Sequence, residues 1–94
     1  MIQILHPQEQ QELLGKIMLQ NSYLDSFLEL GVCTQSFRDV RAKAIFAAML
    51  QLRMQEEPID LVTVVEALRR FGRWESVGTQ YLCDCLGPAE EVAT

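Results

Sequence analysis

The 94-residue chain has a single histidine, and that scarcity narrows its chemistry at once. His6 lies near the N-terminus with no serine or cysteine partner at triad spacing, so nucleophilic catalysis through a histidine base has nothing to build on. The three cysteines are odd in number, and Cys83 and Cys85 stand two apart rather than in a C-x-x-C pair. A structural zinc site uses four ligands, so these thiols read as buried, free and reduced, as expected in the cytoplasm. No G-x-x-x-x-G-K-[ST] stretch is present to cradle nucleotide phosphates, and no run of alternating acids outlines a calcium loop. Basic residues are also scarce: eight Lys and Arg stand against thirteen Asp and Glu, a formal net charge of -5. Nucleic acids are gripped mainly by cations on phosphates, so direct nucleic-acid binding is not expected. No segment approaches the roughly 20 apolar residues of a membrane span, and Met1 to Pro7 lacks the basic flank and apolar run of a signal peptide.

What is present is apolar patterning at helical spacing. Hydrophobic residues make up 49% of the chain, which favours one globular domain over residues 1–94 with an ordered core over about 8–86. The charged fraction of 22% is low enough to suggest a partner-covered surface. Leu13, Leu14, Ile17 and Met18 predict a first helix from Gln8 to Leu19. Gly15 sits inside it at a cost of about 1 kcal/mol against Ala, which the close approach of another backbone would explain. Asn21 or Ser22 can cap a second helix with the stripe Leu24, Phe27 and Leu28, stopped by Gly31. Phe37 plugs the connector.

Asp39 caps a long third helix to about Gln55. Its wide face of Ala42, Ile45, Phe46, Met49, Leu50 and Leu52 suits a central position. Glu56, Glu57 and Pro58 break it. The fourth helix has the fullest start signal: Asp60 caps it, and Ile59 can staple onto Val64. Its stripe reads as Val62, Val65 and Leu68, flanked by Leu61 and Val64, and Gly72 ends it. The β-branched run Leu61 to Val65 does not outweigh the cap and the Glu66-Ala67-Leu68-Arg69-Arg70 that follows. Arg73 to Gly78 reads as a turn. A last helix starts near Thr79, stops at Gly87-Pro88 and leaves Ala89 to Thr94 frayed. The prediction is an all-α fold, a compact orthogonal bundle of about five to six helices with no sheet.

No catalytic, cofactor-binding or metal-ligating residue is identified, and no cofactor is implied. The chain is not expected to be an enzyme. Two basic clusters, Arg38-Arg41-Lys43 and Arg69-Arg70-Arg73, read as solvated faces paired with Asp39 and with Glu66 and Glu75. Trp74 either closes the core or anchors a partner. Tyr81, like Tyr23, can bury its ring and leave its hydroxyl wet.

The order of these motifs resembles a known family. Leu14-Gly15, Met18-Leu19, Asn21, Asp25, Phe37, Ile45-Phe46 and Leu52 lead to the densest stretch, Pro58-Ile59-Asp60-Leu61-Val62-Thr63. Glu66, Leu68, Gly72, Glu75, Ser76-Val77-Gly78 and Tyr81-Leu82 complete it. Together they resemble the N-terminal domain of the DnaB-type bacterial replicative DNA helicase over about residues 8–86. The chain departs from the family pattern at Gln8 to Glu12, at Trp74 and Thr79, and from Glu90 to Thr94. The resemblance implies a non-catalytic interaction domain that forms the N-terminal collar of a hexamer and docks the primase C-terminal domain. The RecA-like ATPase domain and the helical hairpin of the family are absent from these residues, so the isolated domain is expected to be a monomer or weak dimer. The resemblance implies Tyr81, which the family couples to primase, as a partner-binding residue; Trp74 and Arg73, in the turn before the last helix, are further candidates from their own chemistry. An alternative is a stand-alone adaptor or mimic from a phage or mobile element that binds helicase or primase.

Overall fold

The computed structural model describes the backbone of residues 4–93 and the side chains of residues 4–86. Five helices follow one another: α1 (Pro7–Leu19), α2 (Ser22–Glu29), α3 (Val40–Met54), α4 (Leu61–Arg70) and α5 (Trp74–Ala93), with a 3-10 turn at Thr34–Ser36. There is no strand among the described residues. The all-α bundle has α3 at its centre, packed against α1, α4, α5 and the 3-10 turn. Its buried residues are Ala42, Ile45, Phe46, Ala48, Met49 and Leu52, on the wide face the periodicity predicts. Phe37 is fully buried and meets Phe46 with ring centroids 4.8 Å apart. The segment just before α1 is tied down: Leu5 is buried and donates its N–H to the Ser36 carbonyl at 3.0 Å.

The helix starts follow their local signals. Asp39 Oδ1 accepts from the Arg41 N–H at 2.8 Å. At α4 the cap is reciprocal. Asp60 Oδ1 accepts from the Thr63 N–H, and Thr63 Oγ1 accepts from the Asp60 N–H, both at 2.9 Å. Ile59 and Val64 are both buried, as a staple requires. His6 is an exposed cap residue of α1, its N–H donating to Glu9 Oε1 at 3.0 Å.

Three helices end in the same device. After α2 the Val32 N–H reaches Phe27 O and the Gly31 N–H reaches Leu28 O; after α4 Arg73 reaches Leu68 O and Gly72 reaches Arg69 O. Each is a Schellman pair, with a glycine in the left-handed region at φ 94° and 69°. After α3 the same pair forms around Glu56, at φ 57°, with no glycine present. The break after α3 therefore rests on a glutamate in a strained backbone region, followed by Pro58.

Gly15 is where α1 meets α5. A Cβ there would fall well inside the 3.0 Å that real Cβ atoms keep from their neighbours, against the Cys85 carbonyl oxygen, and 3.1 Å from its carbon. The mid-helix glycine is explained by this backbone approach.

Several expectations are corrected. Asn21 does not cap α2. Its side chain spans to the loop before α4 instead, with Nδ2 donating to Ile17 O at 2.9 Å and Ile59 O at 2.6 Å, and Oδ1 accepting from the Ile59 N–H at 2.8 Å. Three partners at one corner outcompete one exposed cap. The buried stripe of α4 is Val64, Ala67 and Leu68, while Val62 is 65% exposed, because the staple turns Val64 inward. Helix α5 spans residues 74–93 with a single non-helical residue, Gly78 at φ 79° and ψ 158°. Arg73 to Gly78 is thus a short helical turn before a kink. Gly87-Pro88 does not stop the helix, and Ala89 to Ala93 is helical rather than frayed. A proline costs an interior helix one hydrogen bond and a steric clash, and neither forbids continuation. Thr94 lies outside the described residues. Cys85 is buried and Cys33 half-buried, but Cys83 is exposed. Cys83 and Cys85 do face opposite ways, as their spacing predicts.

Candidate partner-binding groove

Of the three sequence-predicted residues, Arg73 and Trp74 lie where α4 turns into α5, whereas Tyr81 lies beyond the Gly78 kink, beside Arg41 at the start of α3. The Schellman turn at Gly72 throws Arg73 into solvent and starts α5 at Trp74. Trp74 is half-buried and packs on the core, with the Arg69 guanidinium 5.8 Å from its ring centroid. Tyr81, beyond the Gly78 kink, is only 5% exposed. The Arg41 guanidinium lies 4.2 Å over its ring and is held there by Asp39, whose carboxylate takes Arg41 Nε at 3.0 Å and Nη2 at 2.7 Å. Each aromatic side chain therefore sits beneath an arginine, a contact of about 0.5–1 kcal/mol at exposed sites. Of the two aromatic anchors, Tyr81 is core and Trp74 is shared between core and surface. Tyr23 is 40% exposed and stacks on Phe27 at 5.9 Å.

These contacts set the titration behaviour. The hydrogen bonds from Arg41 hold the Asp39 carboxyl below its usual range. Burial pushes the Tyr81 phenol up to about 12 and the Cys85 thiol up to about 12. Neither Tyr81 nor Cys85 offers a nucleophile near neutral pH. No group of three or more His, Cys, Asp or Glu lies within reach of one metal ion among the described residues.

Arg73 borders a concavity of about 730 Å³ between α3, the α4–α5 corner and Thr34. Its floor is the Val40, Ala44 and Ala47 stripe of α3 with Phe71, and Lys43 and Arg73 stand on its rim. Val40 is 73% exposed and Phe71 45%, so the floor carries uncovered apolar surface. Neither rim cation is in an ion pair among the described residues. The expected pairing of the second basic cluster with Glu66 and Glu75 does not form there. The two ion pairs among the described residues are Arg41–Asp39 and an unanticipated Arg53–Asp25 at 2.5 Å that ties α3 to α2.

Sequence reasoning missed Val40, Ala44, Ala47 and Phe71, and read Lys43 as part of a solvated basic face rather than of a groove. The signal was available on α3, since positions 40, 43, 44 and 47 are one helical face. What concealed it is that α3 is apolar nearly all round, so a second exposed stripe cannot be told from core without neighbours in place.

Comparison with known proteins agrees with this fold. The family model for the DnaB-like helicase N terminal domain matches residues 6–93. The chain is 36% identical over 76 residues to the replicative DNA helicase DnaB of Rhodothermus marinus, covering 80% of this chain and 8% of that protein. It is 41% identical over 69 residues to that of Buchnera aphidicola subsp. Schizaphis graminum, covering 73% of this chain and 15% of the relative. The match to that of Haemophilus influenzae is 38% over 69 residues, covering 73% and 14%. The chain thus spans about a seventh or less of the length of these relatives. Helix order, capping signals and similarity over nearly the whole chain converge: this chain belongs to the DnaB-like helicase N-terminal domain family.

Proposed function

We propose that this chain is a non-catalytic interaction domain of a replicative helicase, contributing to its N-terminal collar and docking the primase C-terminal domain. The family match over residues 6–93 carries the reading. It is supported by chemistry: the 94 residues contain no phosphate-binding loop and one histidine, while the surface offers an apolar groove whose two cations have no ion-pair partner among the described residues. Other helicase subunits are its second class of partner, and alone it is a monomer or weak dimer. With net charge -5 it makes no direct contact with nucleic acid. No helix among the described residues is long and apolar enough to cross a membrane, in keeping with a cytoplasmic partner set. Arg73, at the α4–α5 corner, touches the partner, while Trp74 and Tyr81 act by setting the poses of Arg69 and Arg41. Titration of the full chain with a cognate primase C-terminal domain is the test. Saturable heat and chemical-shift changes are expected; their absence at high micromolar concentration overturns primase docking.

A further inference from the structure

We propose that the groove between α3 and the α4–α5 corner is a docking site for one amphipathic helix with acidic flanks, carried by a partner protein. The inference rests on the reading of this chain as an interaction domain and names the chemistry of the occupant, which that reading leaves open.

Shape comes first. Val40, Ala44 and Ala47 lie at i, i+4 and i+7 on α3, a stripe about 10 Å long. The two alanines leave a furrow in the groove floor, which Val40 and Phe71 complete as apolar lining. A furrow of small residues along a helix accepts the side-chain ridge of a second helix. Its length matches roughly two turns of an occupant, with apolar anchors at i, i+3 or i+4, and i+7. The described residues contain no strand, so no sheet edge is available to bind an extended segment.

Charge decides what flanks those anchors. The chain is acidic overall, yet among the described residues both ionisable ones lining this groove, Lys43 and Arg73, are basic. Two other cavities contrast with it: that beside α1 has Glu9 and Glu12 with Lys16, and that beside α2 has Asp25, Glu56 and Glu57 with Arg53. An acidic helix gains from the two rim cations, whereas a basic helix with the same apolar face meets like charge.

The experiment uses the full chain and two side-chain-stapled helical peptides of about 14 residues, long enough to cover the stripe. Both carry Leu at i, i+4 and i+7; one has Glu and the other Lys at every flanking position. Stapling removes helix formation as a variable. The acidic peptide is expected to bind at least roughly tenfold tighter than the basic one at low salt, the advantage shrinking as salt rises. Amide shifts should centre on Ala44, Ala47 and Phe71. The double substitution Lys43→Glu, Arg73→Glu should reverse the preference, and Ala47→Gln, which fills the furrow without charge, should weaken both peptides. All three positions are at least partly exposed, and circular dichroism checks that the variants fold. Equal binding of the two peptides, or shifts centred on another face, overturns the proposal. No primase is present, so primase docking can fail while this groove stands, and the reverse.

Discussion

Substituting Gly15 by Ala sets two well-characterised effects against each other. In a solvated helix the change stabilises by about 1 kcal/mol, because Ala has the better helix propensity. In this fold the new methyl group meets the Cys85 carbonyl, and its closest obstacles are the oxygen and carbon of that peptide rather than a flexible side-chain tip. Relieving the clash requires α1 and α5 to part by roughly 1 Å. Leu14, Ile17 and Leu82, all buried in the same core, lose contact when they do. Overpacking of this kind costs about 1–3 kcal/mol, with the upper end expected where backbone must move. The net is a loss of about 2 kcal/mol, or a Tm lowered by roughly 8–16 °C for a domain this size. Thermal and urea melts of the purified chain measure it. Lys16→Ala, at the exposed neighbouring position, is the control and should leave Tm within a few degrees. A Gly15→Ala protein that melts at or above the parent would refute the reasoning, since propensity alone would then describe the site and α5 could not pass so close.

Two further predictions test the corner and the core. Asn21→Ala removes three hydrogen bonds and leaves the Ile59 N–H without its partner, so a loss of about 2–3 kcal/mol is expected in urea melts, well beyond the loss of a simple cap; a loss under about 1 kcal/mol would show that the bridge carries no weight. Tyr81 and Cys85 both have folded pKa values raised to about 12, above their unfolded values, so their contribution is complete below about pH 9 and is lost as pH rises toward 12. Stability measured between pH 8 and 11 should fall with pH, and Tyr81→Phe or Cys85→Ala should each flatten the slope even where it lowers stability overall; an unchanged slope in both variants would refute the assignment.

Much of the fold is legible locally because its signals act over three or four residues. Asp39 and Asp60 each reach an N–H two or three positions on, and Gly31 and Gly72 each permit a left-handed turn at one residue. Gly15 was readable in a weaker sense: its misplaced propensity announced a close neighbour without saying which one. Asn21 misled because an asparagine at a helix start has an ordinary local use, and its actual partner is 38 residues away. Gln10 gave no sign at all. It is buried, donating to Leu5 O at 3.1 Å and accepting from the Asp39 N–H at 3.2 Å, in a segment whose composition reads as a polar surface. The candidate site divides in the same way, since Arg73, Trp74 and Tyr81 were readable as candidate contacts but not as one exposed cation, one half-buried ring and one buried ring.

The sequence by itself determined the class of the protein: the number and order of helices, most of their starts and stops, the central place of α3, the absence of catalytic motifs and the family. These depend on backbone capping and on a 3.6-residue period, which are short-range physics. Only the tertiary structure decided which apolar stripes are core and which are surface, that Tyr81 lies under Arg41, and that Val40, Ala47, Phe71, Lys43 and Arg73 share one groove. Burial and charge pairing depend on what other elements cover, so they are properties of the packed helices and not of any single one.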